Sequence, residues 1–354
     1  MNGQGEATHR TSPRPTAANR QDHHTVTAAN PTPQPRPPDA THAPFETRPS
    51  TRRRDNAAAG RPYDREVPDP PDVPAPALDL AQRLATLPGV VAVTLGGSYA
   101  NGRATASSDV DLGLYYDAAT FDLTPLDELC RDVDDAPGAH ATPPGAWGRW
   151  VDGGAWLTLK GQRVDVLYRR VDRVELSVED ALAGRVTLHT QVGHPHGIHG
   201  HHYAAELALG VVLHDPTGRL AELQARLKPY PSALRDALQR QYAWQGSFWL
   251  EGARSSLARE DVNHVQGCAY QAVMAMVQTI CARGERWLTN EKGAVSVTAT
   301  VPGAPTAFER RVREALLTLD LDALLTLALE VRAEVERPDD EATLASPSGQ
   351  EGDA

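Results

Sequence analysis

Two aspartates two residues apart, Asp109 and Asp111, lie in the run Ser108-Asp109-Val110-Asp111-Leu112. In an extended strand, positions i and i+2 share a face. Both carboxylates therefore project to one side, while Val110, Leu112 and Leu114 turn to the other, where a core would lie. Carboxylates set side by side can bridge divalent cations, and magnesium in particular combines a few carboxylates with phosphate oxygens. Asp165, flanked by Val164 and Val166, repeats the pattern. If its strand lies beside that of Asp111, three acids meet, as two-metal phosphoryl transfer requires.

Leu95-Gly96-Gly97-Ser98 precedes these acids. A turn that closes a strand and carries no side chain at Gly97 lets backbone N–H groups approach a phosphate. The Ser98 hydroxyl can add a hydrogen bond, and Arg103 in the following loop can reach phosphate oxygens. Taken singly, Gly-Gly-Ser is an ordinary turn and Ser-Asp-x-Asp an ordinary cap. Their order, spacing and shared face together point to a phosphate and metal site.

The elements that must position these residues are legible from periodicity. Leu78, Leu80, Leu84 and Leu87 follow helical spacing, and Pro88-Gly89 stops the helix. Val90 to Leu95 and Val110 to Tyr116 read as strands, and Leu126 to Val133 as a helix. Trp156 to Leu159 and Val164 to Tyr168 form a hairpin about Lys160-Gly161. Beyond Arg185 the pattern turns helical, with long helices expected over Leu234–Leu257 and Val262–Ala282, and one or two more over Phe308–Val335. The expected fold class is α+β: a small mixed-sheet domain over residues 75–185, then an α-helical domain over 186–337.

Residues 1–74 are rich in Pro, Arg, Thr, Ala and His and nearly empty of Leu, Ile and Phe. Such a stretch buries too little apolar surface to offset the entropy of ordering, so a disordered extension is expected. Arg52-Arg53-Arg54 within it is a solvated tail or a weak partner patch. The acidic tail, 338–354, is expected to be disordered as well. A formal net charge of -11 over 354 residues disfavours a nucleic-acid partner bound through its phosphates. Three cysteines, Cys130, Cys268 and Cys281, with no Cys-x-x-Cys pair, fit a reducing cytoplasm. No apolar run is long enough for a membrane span.

The segment from Leu95 to Leu112 resembles the signature of the DNA polymerase β-like nucleotidyltransferase superfamily. Gly97-Ser98 is followed, after a short loop, by Asp109-Val110-Asp111. It looks most like the minimal and antibiotic-modifying branch, such as kanamycin and lincosamide nucleotidyltransferases. Those pair a small catalytic α/β domain with a helical one. The resemblance implies transfer of a nucleoside monophosphate from a nucleoside triphosphate, with ATP the expected donor, to a hydroxyl of a small antibiotic-like molecule. Pyrophosphate would leave. It places two Mg2+ ions on Asp109, Asp111 and Asp165, and a monomer or a homodimer in solution. Two other functions stay open: nucleotidylation of a protein or RNA, and a nucleotide-binding sensor without catalysis.

Four further features are weighed against plainer readings. Glu206, soon after the expected domain crossover, is the candidate general base; the alternative is a solvated acid on a helix face. Lys292, in Thr289-Asn290-Glu291-Lys292-Gly293, resembles the lysine by which some relatives contact the triphosphate; the alternative is a capping turn. The tract His194 to His202 reads as a loop, placed near the substrate cleft, binding metal, or merely at the surface. Trp147, Trp150 and Trp156 could stack a base or cover the sheet.

Overall fold

The computed structural model describes residues 73–337. Apart from Val73 and Pro74, the expected N-terminal extension lies outside the described residues, as does the acidic tail. The strands are β1 (Val90–Leu95), β2 (Val110–Tyr116), β3 (Gly154–Leu159), β4 (Gln162–Arg170), β5 (Leu188–Gln191), β6 (His194–His199) and β7 (Val211–His214). The helices in the first half are α1 (Ala75–Leu84), α2 (Gly97–Ala100), α3 (Leu123–Val133), α4 (Val171–Leu182), α5 (His202–Leu209) and α6 (Arg219–Arg226). The second half holds α7 (Ser232–Tyr242), α8 (Gln245–Leu257), α9 (Val262–Arg283), α10 (Ala294–Thr298), α11 (Phe308–Thr318) and α12 (Leu321–Glu336). The fold is α+β, a small mixed sheet followed by a helical C-terminal region.

The main sheet has the order β3-β4-β2-β1-β7, with β2 and β4 parallel and the other neighbours antiparallel. Alternation along the strands separates its two faces. Val93 and Leu95 of β1, Val110, Leu112 and Leu114 of β2, and Val164, Val166 and Tyr168 of β4 are buried under α1 and α3. Ala77, Leu80, Ala81 and Leu84 recur at helical spacing in α1 and supply its covering stripe. Asp122 caps α3 by accepting the Thr124 N–H at 2.9 Å. On the opposite face, Ala92 and Tyr115 pack with α4, α5 and α6, but only at one end of the sheet. The other end of that face carries Asp111 and Asp165.

The strand β7 was not evident in the sequence. It pairs with β1, so the sheet takes a member from beyond residue 185. In the helical part, α9 is buried on all sides from Ala272 to Ala282. A helix apolar all round must be central, and α7, α8, α10 and α12 pack around it. The long helix expected over Leu234–Leu257 is two helices, α7 and α8, parted at Ala243-Trp244. Gly246, at the start of α8, lies so close to α12 that a Cβ there would stand 3.1 Å from the Ala328 methyl. The break lets α8 take that path. Cys130, Cys268 and Cys281 are free and buried. Among the described residues no helix is long and apolar enough to cross a membrane.

Candidate active site

The parallel register of β2 and β4 sets Asp111 opposite Asp165, Gly113 opposite Leu167 and Tyr115 opposite Arg169. Antiparallel pairing extends the first row to β3, where Trp156 is the partner of Asp165. One face of the sheet thus presents Trp156, Asp165 and Asp111 side by side. At the edge of this row, β1 ends. The Gly96 N–H donates to the Asp111 carbonyl at 2.8 Å, and the chain turns into α2. Buried Tyr99 anchors that short helix in the core.

Gly97 is required at its position for two reasons. Its φ of +58° is a left-handed conformation that costs most side chains energy. A Cβ there would also stand 1.8 Å from Asp111 Oδ2. The backbone of the turn therefore lies directly against the carboxylate. Ser98 follows in α2, half-buried, and its carbonyl accepts the Arg103 N–H at 2.9 Å. The Arg103 side chain is exposed and donates to Asn101 Oδ1 at 3.1 Å.

Asp111 has its pKa pushed up to about 6. Burial is the largest cause, followed by the charges of Asp165, Asp109 and Glu206, with Arg169 opposing them. Desolvation and like charges both disfavour the carboxylate form. The carboxylates are thus electrostatically coupled, and a cation among them would relieve the strain.

The three acids are not arranged as a ready cage. Among the described residues no group of three His, Cys, Asp or Glu side chains is disposed to hold a metal ion. Asp111 and Asp165 are in register, whereas Asp109 Oδ1 pairs with the Arg163 guanidinium at 2.5 Å. Carboxylates at close quarters repel, and Arg163 supplies the countercharge. The same β4 segment ties down the loop before Asp109: Gln162 Nε2 donates to the Ser108 carbonyl at 3.0 Å and Arg163 Nη2 to that of Ser107 at 3.2 Å. The donor set still suits magnesium, which takes hard carboxylate oxygens, often one or two, and fills its shell with phosphate and water oxygens. Asp111 and Asp165 fit that demand, with Asp109 adjacent.

Glu206, expected as a general base, is placed on the same face but differently engaged. Arg169 lies on β4 four residues after Asp165 and therefore shares its face. It donates to Glu206 through Nε at 2.5 Å and through Nη2 at 2.7 Å. His202 Nε2 lies 3.3 Å from Glu206 Oε1. Burial alone would raise the Glu206 pKa, but the charges of Arg169 and His202 outweigh it and hold the carboxyl well below the usual range. A carboxylate so stabilised is a poor proton acceptor near neutral pH. The geometry makes it the clamp of a buried guanidinium, which also lies over the Tyr203 ring at 5.3 Å.

The remaining candidates are scattered. Lys292 is exposed, and its backbone N–H donates to Asn290 Oδ1 at 2.7 Å, an arrangement of the capping-turn kind. Trp156 is 44% exposed and its ring stacks on Trp147 at 4.7 Å and 18°. Trp150 instead stacks on His189. The histidine tract is not a loop. It forms β6, the second strand of the β5–β6 hairpin, and the entry to α5, with His196, His199, His201 and His202 buried. Glycine and proline masked the strand. Gly193 and Gly197 have φ of +89° and +96°, which the turn and a kink in β6 require. Arg163 and Arg169, the two cations that organise the acids, were missed. Their signal was the alternation in β4: Arg163, Asp165 and Arg169 all fall on one face.

No curated protein sequence matches this chain. Among solved structures, a similar chain is a nucleotidyltransferase-like protein from Exiguobacterium sibiricum 255-15. It has 11% identity and a TM-score of 0.31, covering 73% of this chain and 76% of that one. At that score the two superpose too loosely for any residue to be transferred. Residues 79–182, the segment that carries Gly97, Ser98, Asp109, Asp111 and Asp165, match the family model described as a nucleotidyltransferase domain.

Proposed function

We propose that the protein is a nucleotidyltransferase that moves a nucleoside monophosphate from a nucleoside triphosphate, ATP by expectation, to a hydroxyl of a small molecule, with pyrophosphate as leaving group. The observation that carries this reading is the register of Asp111 with Asp165 against the Gly97 backbone, inside a segment matching a nucleotidyltransferase domain. Two magnesium ions held by Asp111, Asp165 and Asp109 would supply charge neutralisation at the phosphates and activation of the attacking oxygen.

The chain's own residues do the rest. The turn at Gly97 and Ser98 receives the phosphates, because its backbone lies directly against the Asp111 carboxylate. Arg163, which pairs with Asp109, lies on the same face of β4 as Asp165 and would be free to meet a phosphate oxygen if Asp109 held a metal instead. Arg103 and Lys292, both exposed, are proposed as outer phosphate contacts. Trp156 stands next to Asp165 on the open side of the sheet and offers a stacking surface for the base. Glu206 acts as a positioning residue that fixes Arg169 behind Asp111. The helical region after residue 186 is proposed as a second domain that holds the acceptor.

A pyrophosphate-release assay tests the reading. The nucleoside triphosphates are crossed with panels of small hydroxylated acceptors in magnesium, with Asp111→Asn as the blank. Release that depends on both an acceptor and Asp111 is expected. Equal release from the wild type and the blank would sink it.

A further inference from the structure

The segment matching a nucleotidyltransferase domain ends at residue 182, but the Trp156 ring is tied in place by a residue beyond it. The tie runs through Trp147, in the loop that joins α3 to β3. The Trp147 ring reaches back over β3, where a Cβ on Gly154 would stand 3.2 Å from Trp147 Cζ3. Gly154 and Trp156 fall on one face of β3, so Trp147 lies on the face that carries Asp165 and Asp111. There it stacks against Trp156, with ring centroids 4.7 Å apart.

The loop's own bonds near Trp147 are local. The Gly148 N–H donates to the Gly145 carbonyl at 3.1 Å, the Ala146 N–H to that of Pro143 at 3.0 Å, and the Gly145 N–H to that of Asp152 at 2.6 Å. None of these three leaves the loop. Bonds confined to an exposed turn resist opening weakly.

Gln191 of β5 supplies a tie to another element. Its Nε2 donates to the Trp147 carbonyl at 2.7 Å. The approach is close: a Cβ on Gly148 would stand 2.8 Å from Gln191 Oε1, and the φ of +108° at Gly148 disfavours a side chain there in any case. His189, on the same face of β5, stacks on Trp150 at 4.7 Å and holds the far end of the loop. The hairpin is itself anchored. Gln191 is the register partner of His194, whose Nδ1 lies 3.1 Å from Glu291 Oε2, and His196 Nδ1 lies 3.0 Å from Gln271 Oε1 on α9.

We infer that Gln191 is a positioning residue of the nucleotide site. It fixes Trp147, Trp147 fixes the Trp156 ring, and the base meets a surface already in place. A platform ordered beforehand spares the base the cost of ordering it. The nucleotide site is then completed from outside residues 79–182. The inference rests on the proposed stacking of a base on Trp156; the tie from Gln191 to the tryptophan pair does not.

The test uses the full chain with Gln191→Ala and with Gln191→Met, which keeps the length of the side chain without a donor and preserves packing if Gln191→Ala fails to fold. Stacked indoles couple in the ultraviolet, and the circular dichroism couplet of this pair is identified as the signal missing from Trp156→Ala. Affinity for ATP in magnesium is measured by equilibrium dialysis without an acceptor. Both Gln191 variants are expected to lose most of the couplet and to weaken ATP about fivefold, the scale of one hydrogen bond. Their kcat for pyrophosphate release should stay nearly unchanged. Because Gln191 acts through Trp156, the double variant Gln191→Ala, Trp156→Ala should bind ATP no more weakly than Trp156→Ala alone. An intact couplet in a folded Gln191 variant overturns the inference. So does a lost couplet with ATP affinity unchanged, or a double variant weaker than Trp156→Ala by the full Gln191 factor. ATP binding that depends on Gln191 in a protein that releases no pyrophosphate keeps the positioning role and removes the transfer reading. Pyrophosphate release with an unchanged KM for ATP in Gln191→Ala does the reverse.

Discussion

Asp111 and Asp165 are register partners on adjacent parallel strands, and the charge of Asp165 is, after burial, the main reason that the Asp111 pKa is raised to about 6. Two carboxylates side by side, with a third nearby, repel one another and lower stability.

The first prediction follows from the sign of that shift. The folded pKa of Asp111 lies above its ordinary 3.8, so the folded state holds a proton that the unfolded chain has already released between pH 4 and 6. Stability is lost as pH rises through that window. The shift of roughly two units amounts to about 3 kcal/mol above pH 6. Asp111→Asn removes the penalty. In a chelator the variant should be more stable than the wild type at pH 7.5 and equal to it at pH 4, read by urea unfolding. Magnesium should raise the melting temperature of the wild type and leave the variant unmoved. Turnover should be lost. A variant less stable than the wild type at pH 7.5 would count against the reading of the site.

Gly97→Ala tests the contact between turn and carboxylate. The added methyl would overlap Asp111 Oδ2 and would sit at a φ of +58°. The backbone conformation alone costs about 1 kcal/mol, and the displacement of Asp111 adds to it. Pyrophosphate release should fall at least about a hundredfold, since misplacement near 1 Å at a reacting site has that effect. Circular dichroism should show the fold retained. An active Gly97→Ala enzyme would mean that phosphates do not bind at this turn.

Glu206→Gln separates clamp from base. The folded carboxyl titrates below its unfolded value, so the Arg169 pair contributes stability that is present above about pH 4.5 and lost as pH falls toward the folded pKa. Breaking a buried pair by neutralising one partner costs about 3 to 5 kcal/mol. The variant should unfold more easily at pH 7, with the difference shrinking in acid. Its kcat should persist, with the acid limb displaced to lower pH because a charge that raises Asp111 has gone. A general base would behave otherwise: kcat would collapse and stability would barely change.

Much of the site was legible because β-strand alternation is a two-residue code. Asp111 and Asp165 each sit between apolar neighbours, and Asp109 lies two residues before Asp111, so their common face could be read without knowing the topology. Pairing could not. That β4 lies parallel to β2, and that Arg163 meets Asp109, depends on contacts between residues over fifty positions apart. The surroundings of Glu206 were hidden for the same reason. Its helix was expected, but Arg169, which determines its protonation, comes from a strand 37 residues earlier. The β5–β6 hairpin was hidden by His-Pro-His-Gly, where local turn residues compete with strand pairing supplied by the rest of the molecule.

Trp156 gives the last prediction. It is the register partner of Asp165, stands on the same face, and leaves nearly half its surface open while Trp147 supports its ring from one side. A surface tryptophan held flat by a second ring next to the proposed phosphate site is suited to stack a nucleobase, which contributes about 1 to 3 kcal/mol per base. Trp156→Ala should therefore raise KM for the triphosphate about tenfold and leave kcat nearly unchanged, with Trp156→Phe in between. The triphosphate should also quench tryptophan fluorescence in the wild type and not in Trp156→Ala. Loss of the Trp147 stack costs about 1 kcal/mol, so the variant folds and the comparison stays clean. If kcat falls while KM stays fixed, Trp156 supports the strand under Asp165 and the base binds elsewhere.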